Sequence, residues 1–198
     1  MIRFANSEDD SLQIAKLIIG TDKIIPFLFG NSSKSLLKVK DLIDREGTVF
    51  SSKNILIFED GNQTIKGILL SYSPPEIDKS KEYQGYNAVF SAFELVQLWF
   101  KSLLLKSIEN KSEIDGIYIQ NISVLESARG LGIGSKLLNH VEKMAFEQGY
   151  NSLWLDVAFN NLKAKKIYER HGFREVSNHK IFFSNNGFYR MKKLLKYN

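Results

Sequence analysis

The sequence predicts one mixed domain of the α/β class, α+β in type, and three stretches carry that expectation. Residues 54–59 and 64–72 alternate as two strands about Asp60-Gly61-Asn62, a hairpin turn signal. Ile117–Val124 also has strand character. It leads through three alternating glycines into a helical pattern with Ile133, Leu137, Leu138, Val141, Met144 and Ala145 on one face. Residues 173–176, 181–183 and 188–195 have the character of closing strands, with a turn at Ser184-Asn185-Asn186-Gly187 between the last two.

The remaining elements follow in order. Residues 1–5 suggest a short edge strand. Residues 9–20 place Leu12, Ala15, Ile18 and Ile19 at helical spacing and stop at Gly20. Residues 21–30 read as an apolar loop between helices whose aromatics would plug the core. A second helix is expected over 35–45, with Leu36, Val39, Leu42 and Ile43 on one side. After Ser73-Pro74-Pro75 a polar segment leads into one long helix over 87–106, apolar nearly all round. Such a helix must be buried on several sides. A dimer interface or a lid would satisfy that, and a covered core helix is the favoured reading. A two-faced strand over 152–159 places Leu153, Leu155 and Val157 opposite Trp154 and Asp156.

Composition narrows the functional classes. With 198 residues and 43% apolar side chains, the chain has enough to build one sizeable core, and residues 1–198 are expected to be a single domain. No cysteine is present, which excludes disulfides, thiolate metal sites and an acyl-cysteine intermediate. Net charge is +5, but basic residues cluster no further than Lys165-Lys166 and Lys192-Lys193. A solvated basic surface is therefore expected, with no nucleic acid as partner. The N-terminal stretch soon turns acidic at Glu8-Asp9-Asp10, unlike a signal peptide, and no apolar run is long enough for a membrane span, so the expected location is cytoplasmic.

The chemistry concentrates in Ala128-Arg129-Gly130-Leu131-Gly132-Ile133-Gly134-Ser135-Lys136. Glycines let successive N–H groups face one concavity, a helix start adds unpaired donors, and Arg129 adds a full charge, so the segment suits a phosphate or pyrophosphate. A P-loop is excluded because Ser135, not Lys, follows Gly134. A dinucleotide fingerprint fails in both frames, although Asp156 stands where its ribose carboxylate would. The spacing that fits is Arg-x-x-Gly-x-Gly at Arg129, Gly132 and Gly134. A second pattern follows at Asn161, Ala164, Tyr168 and Gly172-Phe173.

These two motifs, in this order and separation, resemble those of the GCN5-related N-acetyltransferase (GNAT) superfamily. The resemblance implies a mixed, mostly antiparallel sheet with a splayed central parallel strand pair and flanking helices, interrupted here by a helical insertion at about 74–115. It implies acetyl-CoA as co-substrate, no metal, and transfer of acetyl to a primary amine by direct attack. Ile122, Ser123 and Val124 would hold the pantetheine arm. Arg129, Gly130, Leu131, Gly132, Ile133, Gly134 and Ser135 would hold the pyrophosphate, and Asn161 would reach the pantetheine end. Tyr168 would be the general acid, with core packing as its other reading. The resemblance also implies that the apolar link over 21–30 helps form the acceptor pocket, an alternative to plugging the core.

One observation supports the splay independently. Ile117 and Ile119 are out of phase with Ile122 and Val124, and a β-bulge near Gln120-Asn121 would return all four to one face. A strand buried on both faces would need no bulge. For the base, the resemblance points to a carboxylate where this chain has Tyr118. That leaves Asp115, Asp156 and Glu94 as candidates acting through water. Lys163, Lys165 and Lys166 are candidates for a ribose phosphate, while His140, His171 and His179 have structural readings. An acceptor pocket lined by Asp22, Glu76, Asp78 or Glu82 would suit polyamine-like cations. A non-catalytic acyl-CoA-binding sensor or assembly module is the alternative function, and a homodimer is the expected assembly if the apolar insertion is an interface.

Overall fold

The computed structural model describes residues 1–6, 9–21, 24–105, 111, 113–181 and 186–195. Its strands are β1 (Ile2–Phe4), β2 (Ile55–Glu59), β3 (Ile65–Tyr72), β4 (Ile117–Val124), β5 (Ser152–Ala158), β6 (Arg174–Lys180) and β7 (Gly187–Leu194). They form a seven-stranded sheet in the order β1-β2-β3-β4-β5-β7-β6. All neighbours are antiparallel except β4 and β5. The helices are α1 (Ser11–Ile19), α2 (Ile24–Phe29), α3 (Ser33–Ile43), α4 (Lys79–Val89), α5 (Ala92–Leu104), α6 (Ile133–Glu147) and α7 (Leu162–Arg170).

Period-two alternation gives the sheet two apolar faces, and each is covered. Ile55, Ile57, Ile68 and Leu70 pack against Ile14 and Ile18 of α1 and Val39, Leu42 and Ile43 of α3. Leu69, Ile117, Ile119, Leu153, Leu155 and Val157 pack against α6, which buries Ile133, Leu137, Leu138, Val141 and Ala145. Each buried Val, Leu or Ile among them contributes about 1.5–3 kcal/mol. The parallel β4–β5 pair needs a crossover, and α6 supplies it. Gly67 lets α6 approach closely: a Cβ there would stand 2.9 Å from Ile133 Cγ2 and 3.1 Å from the Ser123 carbonyl oxygen.

Four expectations change. In α1 the fully buried positions are Ile14, Ala15, Leu17 and Ile18, so the apolar stripe is rotated from the one expected and Leu12 and Ile19 lie at its margins. Residues 24–29 form α2 rather than a loop, because Pro26 lies in the first turn, where its missing N–H is not needed. The long helix over 87–106 is instead two, separated at Phe90-Ser91. Ser91 accepts from the Glu94 N–H while the Glu94 carboxylate accepts from the Ser91 N–H, a capping box that starts α5 afresh. Finally, α5 buries no residue fully, and it leaves Phe93 at 71% and Trp99 at 57% exposure. The covered-core reading of that helix is therefore wrong. The strand at 181–183 and the turn at 184–187 fall mostly outside the described residues, as do Glu8, Asp22 and Lys106.

Candidate active site

The central strand pair opens into a cleft. β4 and β5 pair only at Ile117↔Leu153, Tyr118↔Trp154 and Ile119↔Leu155, although both strands run further. Beyond that point β4 stays paired to β3 as far as Val124, and β5 stays paired to β7 as far as Ala158. The edge of β4 from Gln120 to Val124 therefore has no ladder partner on β5. The expected bulge is present: Leu70 pairs with Asn121 and Ser71 with Ile119, which leaves Gln120 as the extra residue. Ile122 and Val124 consequently join Ile117 and Ile119 on the α6 face. Asn121, 2% exposed, turns to the other face, and among the described residues neither its side-chain nitrogen nor its oxygen has a hydrogen-bond partner. A buried amide left so costs about 1–3 kcal/mol per group, which marks this segment as built for something other than stability.

At the far end of β4 the chain turns through Glu126–Ala128 into the glycine segment. Gly130 has φ +83° and Gly132 φ +73°, conformations a side chain resists, and a Cβ on either would meet nothing within 4 Å. Backbone conformation, not crowding, demands glycine there, and the space above stays open. Gly132 caps α6 without a side-chain bond, so the first N–H groups of that helix face outward beside Gly134 and Ser135. Arg129 and Leu131 are exposed, and Arg129 pairs loosely with Glu126 at 3.6 Å. This cradle of N–H groups and one exposed cation fits a pyrophosphate.

Across the cleft, β5 feeds α7. Asn161 caps α7, its Oδ1 accepting from the Ala164 N–H at 3.2 Å. Tyr168 is half-buried on the α6 side of the sheet and meets Phe173 edge-on, ring centroids 6.0 Å apart. His171 bonds Ser135 through Nε2 at 3.0 Å, tying the end of α7 to the start of α6. Lys165 pairs with Glu175 at 2.6 Å and lies over the Tyr189 ring, whereas Lys163 and Lys166 are exposed.

On the opposite face of the sheet lies a cavity of about 760 Å³, a size suited to a small molecule. Gln120, the bulge residue, lines it together with Tyr72 and Tyr118, and its walls include Ile25, Phe29, Phe50 and Ile77. The cavity thus meets the strand pair where it begins to splay. Glu82 of α4 also lines it. Burial pushes the Glu82 carboxyl above its usual range, while a hydrogen bond from the Val49 backbone and the charge of Lys111 only partly offset that. Sequence spacing had grouped Glu82 with other acids; the structure separates them. Asp78 caps α4, Glu76 accepts from the Tyr150 hydroxyl, and Asp22 lies outside the described residues.

The three carboxylates weighed as bases are engaged elsewhere. Glu94 belongs to the α5 cap and pairs with Lys38. Asp115 accepts from Ser152 at 2.7 Å and Trp154 Nε1 at 2.9 Å, at the paired end of the strands. Asp156 receives two bonds from Arg190, at 2.9 and 3.0 Å, and one from the Tyr118 hydroxyl at 3.1 Å. Arg190 has no exposed side-chain surface and also bonds Glu113 at 3.0 Å. Burial raises the Tyr118 phenol well above its usual value, so Tyr118 stays protonated. This network was not anticipated, and its one signal in sequence was a lone arginine inside the closing strand.

Comparison with known proteins bears on what such a cleft does. Residues 103–173 match the model of the Acetyltransferase (GNAT) family. The chain is 33% identical over 90 residues to the [Ribosomal protein bS18]-alanine N-acetyltransferase of Haemophilus influenzae, covering 41% of this chain and 61% of that protein. It is 29% identical over 103 residues to the N-acetyltransferase YobR of Bacillus subtilis, covering 50% and 42% respectively. The chain thus spans about half the length of the curated relatives it matches. A crystal structure described as an acetyltransferase superposes with a TM-score of 0.71 at 26% identity, over 99% of this chain and 100% of that one. An N-acetyltransferase from Staphylococcus aureus Mu50 shares the fold with a TM-score of 0.73 at 21% identity, over 97% and 99%.

Proposed function

We infer that this chain, whose residues 103–173 match the GNAT family model, is an N-acetyltransferase of that family that moves an acetyl group from acetyl-CoA to a primary amine. The observation that carries the reading is the strand pair that stops pairing at Ile119 and Leu155, with the bulge at Gln120 and the glycine cradle at its far end. Amide-bearing pantetheine can bond the open edge at Ile122, Ser123 and Val124 as a false strand. N–H groups from Gly130 to Ser135, with the Arg129 guanidinium, hold the pyrophosphate, and Asn161 reaches the arm from the other side of the cleft.

The amine enters from the cavity on the opposite face, so donor and acceptor meet at the bulge and orientation supplies much of the rate. An alkylammonium has a pKa near ~10.4 and must lose a proton first. Glu82, with its raised pKa inside the cavity, is the group suited to accept it. Attack by the neutral amine forms the N–C bond and breaks the C–S bond. The nitrogen gives up its second proton to water, and Tyr168, on the cleft side occupied by α6, protonates the departing thiolate and regains its proton from solvent. The acceptor is a small molecule or a protein amine. The protein works in the cytoplasm, and the exposed apolar face of α5 is where a second copy packs as a homodimer, which light scattering tests.

Incubation with acetyl-CoA and a panel of amines, read as released thiol, tests the reaction. Turnover with at least one amine is expected, and Tyr168→Phe should lower kcat while leaving acetyl-CoA affinity nearly unchanged. Acetyl-CoA binding without turnover of any amine would replace the enzyme with a non-catalytic acyl-CoA-binding module.

A further inference from the structure

The cavity already holds an ammonium, and it belongs to the chain. Lys111 Nζ donates to the Tyr72 hydroxyl at 2.7 Å and to Gln120 Oε1 at 3.2 Å. It also stands 4.0 Å from the centre of the Tyr118 ring and 5.3 Å from that of Tyr72. Tyr72 completes the cage by donating its own hydroxyl proton to Gln120 Oε1 at 2.9 Å. Two oxygen acceptors and a π face are what a primary ammonium needs: N–H donors find oxygens, and the cation finds the negative face of a ring. A quaternary ammonium, by contrast, has no N–H to donate to those oxygens.

The cage sits where an acceptor amine has to be. Gln120 is the extra residue of the bulge and the first residue of β4 beyond the last β5 pair. Tyr118 lies within the last three paired positions. The cavity that opens from the cage is walled chiefly by apolar side chains, among them Ile25, Leu28, Phe29, Phe50 and Leu105. Charged groups on its lining, among the described residues, are Lys79, Glu82 and Lys111.

We propose that the Tyr72–Tyr118–Gln120 cage is the seat of the acceptor's ammonium, that Lys111 is its intramolecular occupant, and that the acceptor is a primary alkylamine with an apolar body. The apolar walls disfavour a polyamine, whose further cations would lie against hydrocarbon with only Glu82 to meet them. Lys111 therefore competes with the acceptor and keeps the cage desolvated and ordered until an amine displaces it. This assignment rests on the acetyltransferase reading, but it can be tested without any acetyl transfer.

The test is calorimetric titration of n-hexylamine and of n-hexyltrimethylammonium into wild-type protein and Lys111→Met, without acetyl-CoA. Lys111→Met should bind n-hexylamine about fivefold more tightly or better, and the quaternary cation should gain nothing. Tyr72→Phe in the Lys111→Met background should cancel most of the gain. No gain for n-hexylamine, or an equal gain for both cations, would overturn the proposal. A thermal unfolding curve for each variant separates loss of binding from loss of fold. Acetyl-CoA titrated into the same preparations reports separately on the donor site, so failure there leaves the cage result standing on its own.

Discussion

Asp156→Asn is the sharpest test of how the cleft is held open. Asp156 is the first β5 residue past the last β4 pair, and its carboxylate takes both Arg190 bonds and the Tyr118 hydroxyl. Arg190 has 0% side-chain exposure against 4% for Asp156, so the pair is screened from water on both sides. Removing one charge of such a pair strands the other, at about 3–5 kcal/mol. Glu113 cannot replace the loss, because its side chain is 56% exposed and its charge is screened. At about 2–4 °C per kcal/mol for a chain of this size, the midpoint of thermal unfolding should fall by about 6–20 °C. The double variant Asp156→Leu, Arg190→Met should recover most of that, since no charge is then buried alone. Urea unfolding with a double-mutant cycle measures both. A loss below about 1 kcal/mol in Asp156→Asn, or a double variant no better than the single, would refute the reasoning.

Three further outcomes follow from single contacts. Gly67→Ala forces a Cβ against Ile133 and the immovable Ser123 carbonyl, so the start of α6 must shift; stability should fall by about 1–3 kcal/mol and acetyl-CoA affinity with it, both readable by calorimetry. Ser91→Ala removes the capping box that separates α5 from α4 and should cost about 0.5–2 kcal/mol in urea unfolding. Glu82 has a native pKa above its unfolded value of 4.5, so the folded state binds its proton more tightly and stability declines as pH rises through 4.5 toward the native value. Glu82→Gln should therefore raise the unfolding midpoint at pH 7 and flatten that decline, while lowering turnover; an unchanged midpoint at pH 7 would contradict the raised pKa.

Where local chemistry decides structure, the sequence was sufficient. The slip in phase between Ile119 and Ile122 announced the bulge, because only an extra residue keeps four apolar side chains on one face. Gly130 and Gly132 announced a cradle because their backbone conformations exclude other residues. Residues 74–115 were less legible. Ser91-x-x-Glu94 is a capping signature, but an unbroken apolar pattern on both sides of it masked the break. The exposure of Phe93 and Trp99 could not be read at all, since apolar periodicity indicates a face and not what covers it. The Lys111–Tyr72 contact and the Arg190–Asp156 pair join residues 39 and 34 positions apart in sequence, and the sheet order that puts β3 beside β4 and β5 beside β7 is not set by local spacing.

The central claim is that the splayed β4–β5 cleft and its glycine cradle bind acetyl-CoA. Calorimetric titration of acetyl-CoA into the wild-type protein, beside an Arg129→Ala, Gly132→Ala variant, tests it most directly. The account predicts one-to-one binding by the wild type, weakened at least about tenfold in the variant, because one loses a charge and the other strains the α6 cap. A folded wild-type protein that binds no acetyl-CoA, or a variant that binds it equally well, would contradict the account.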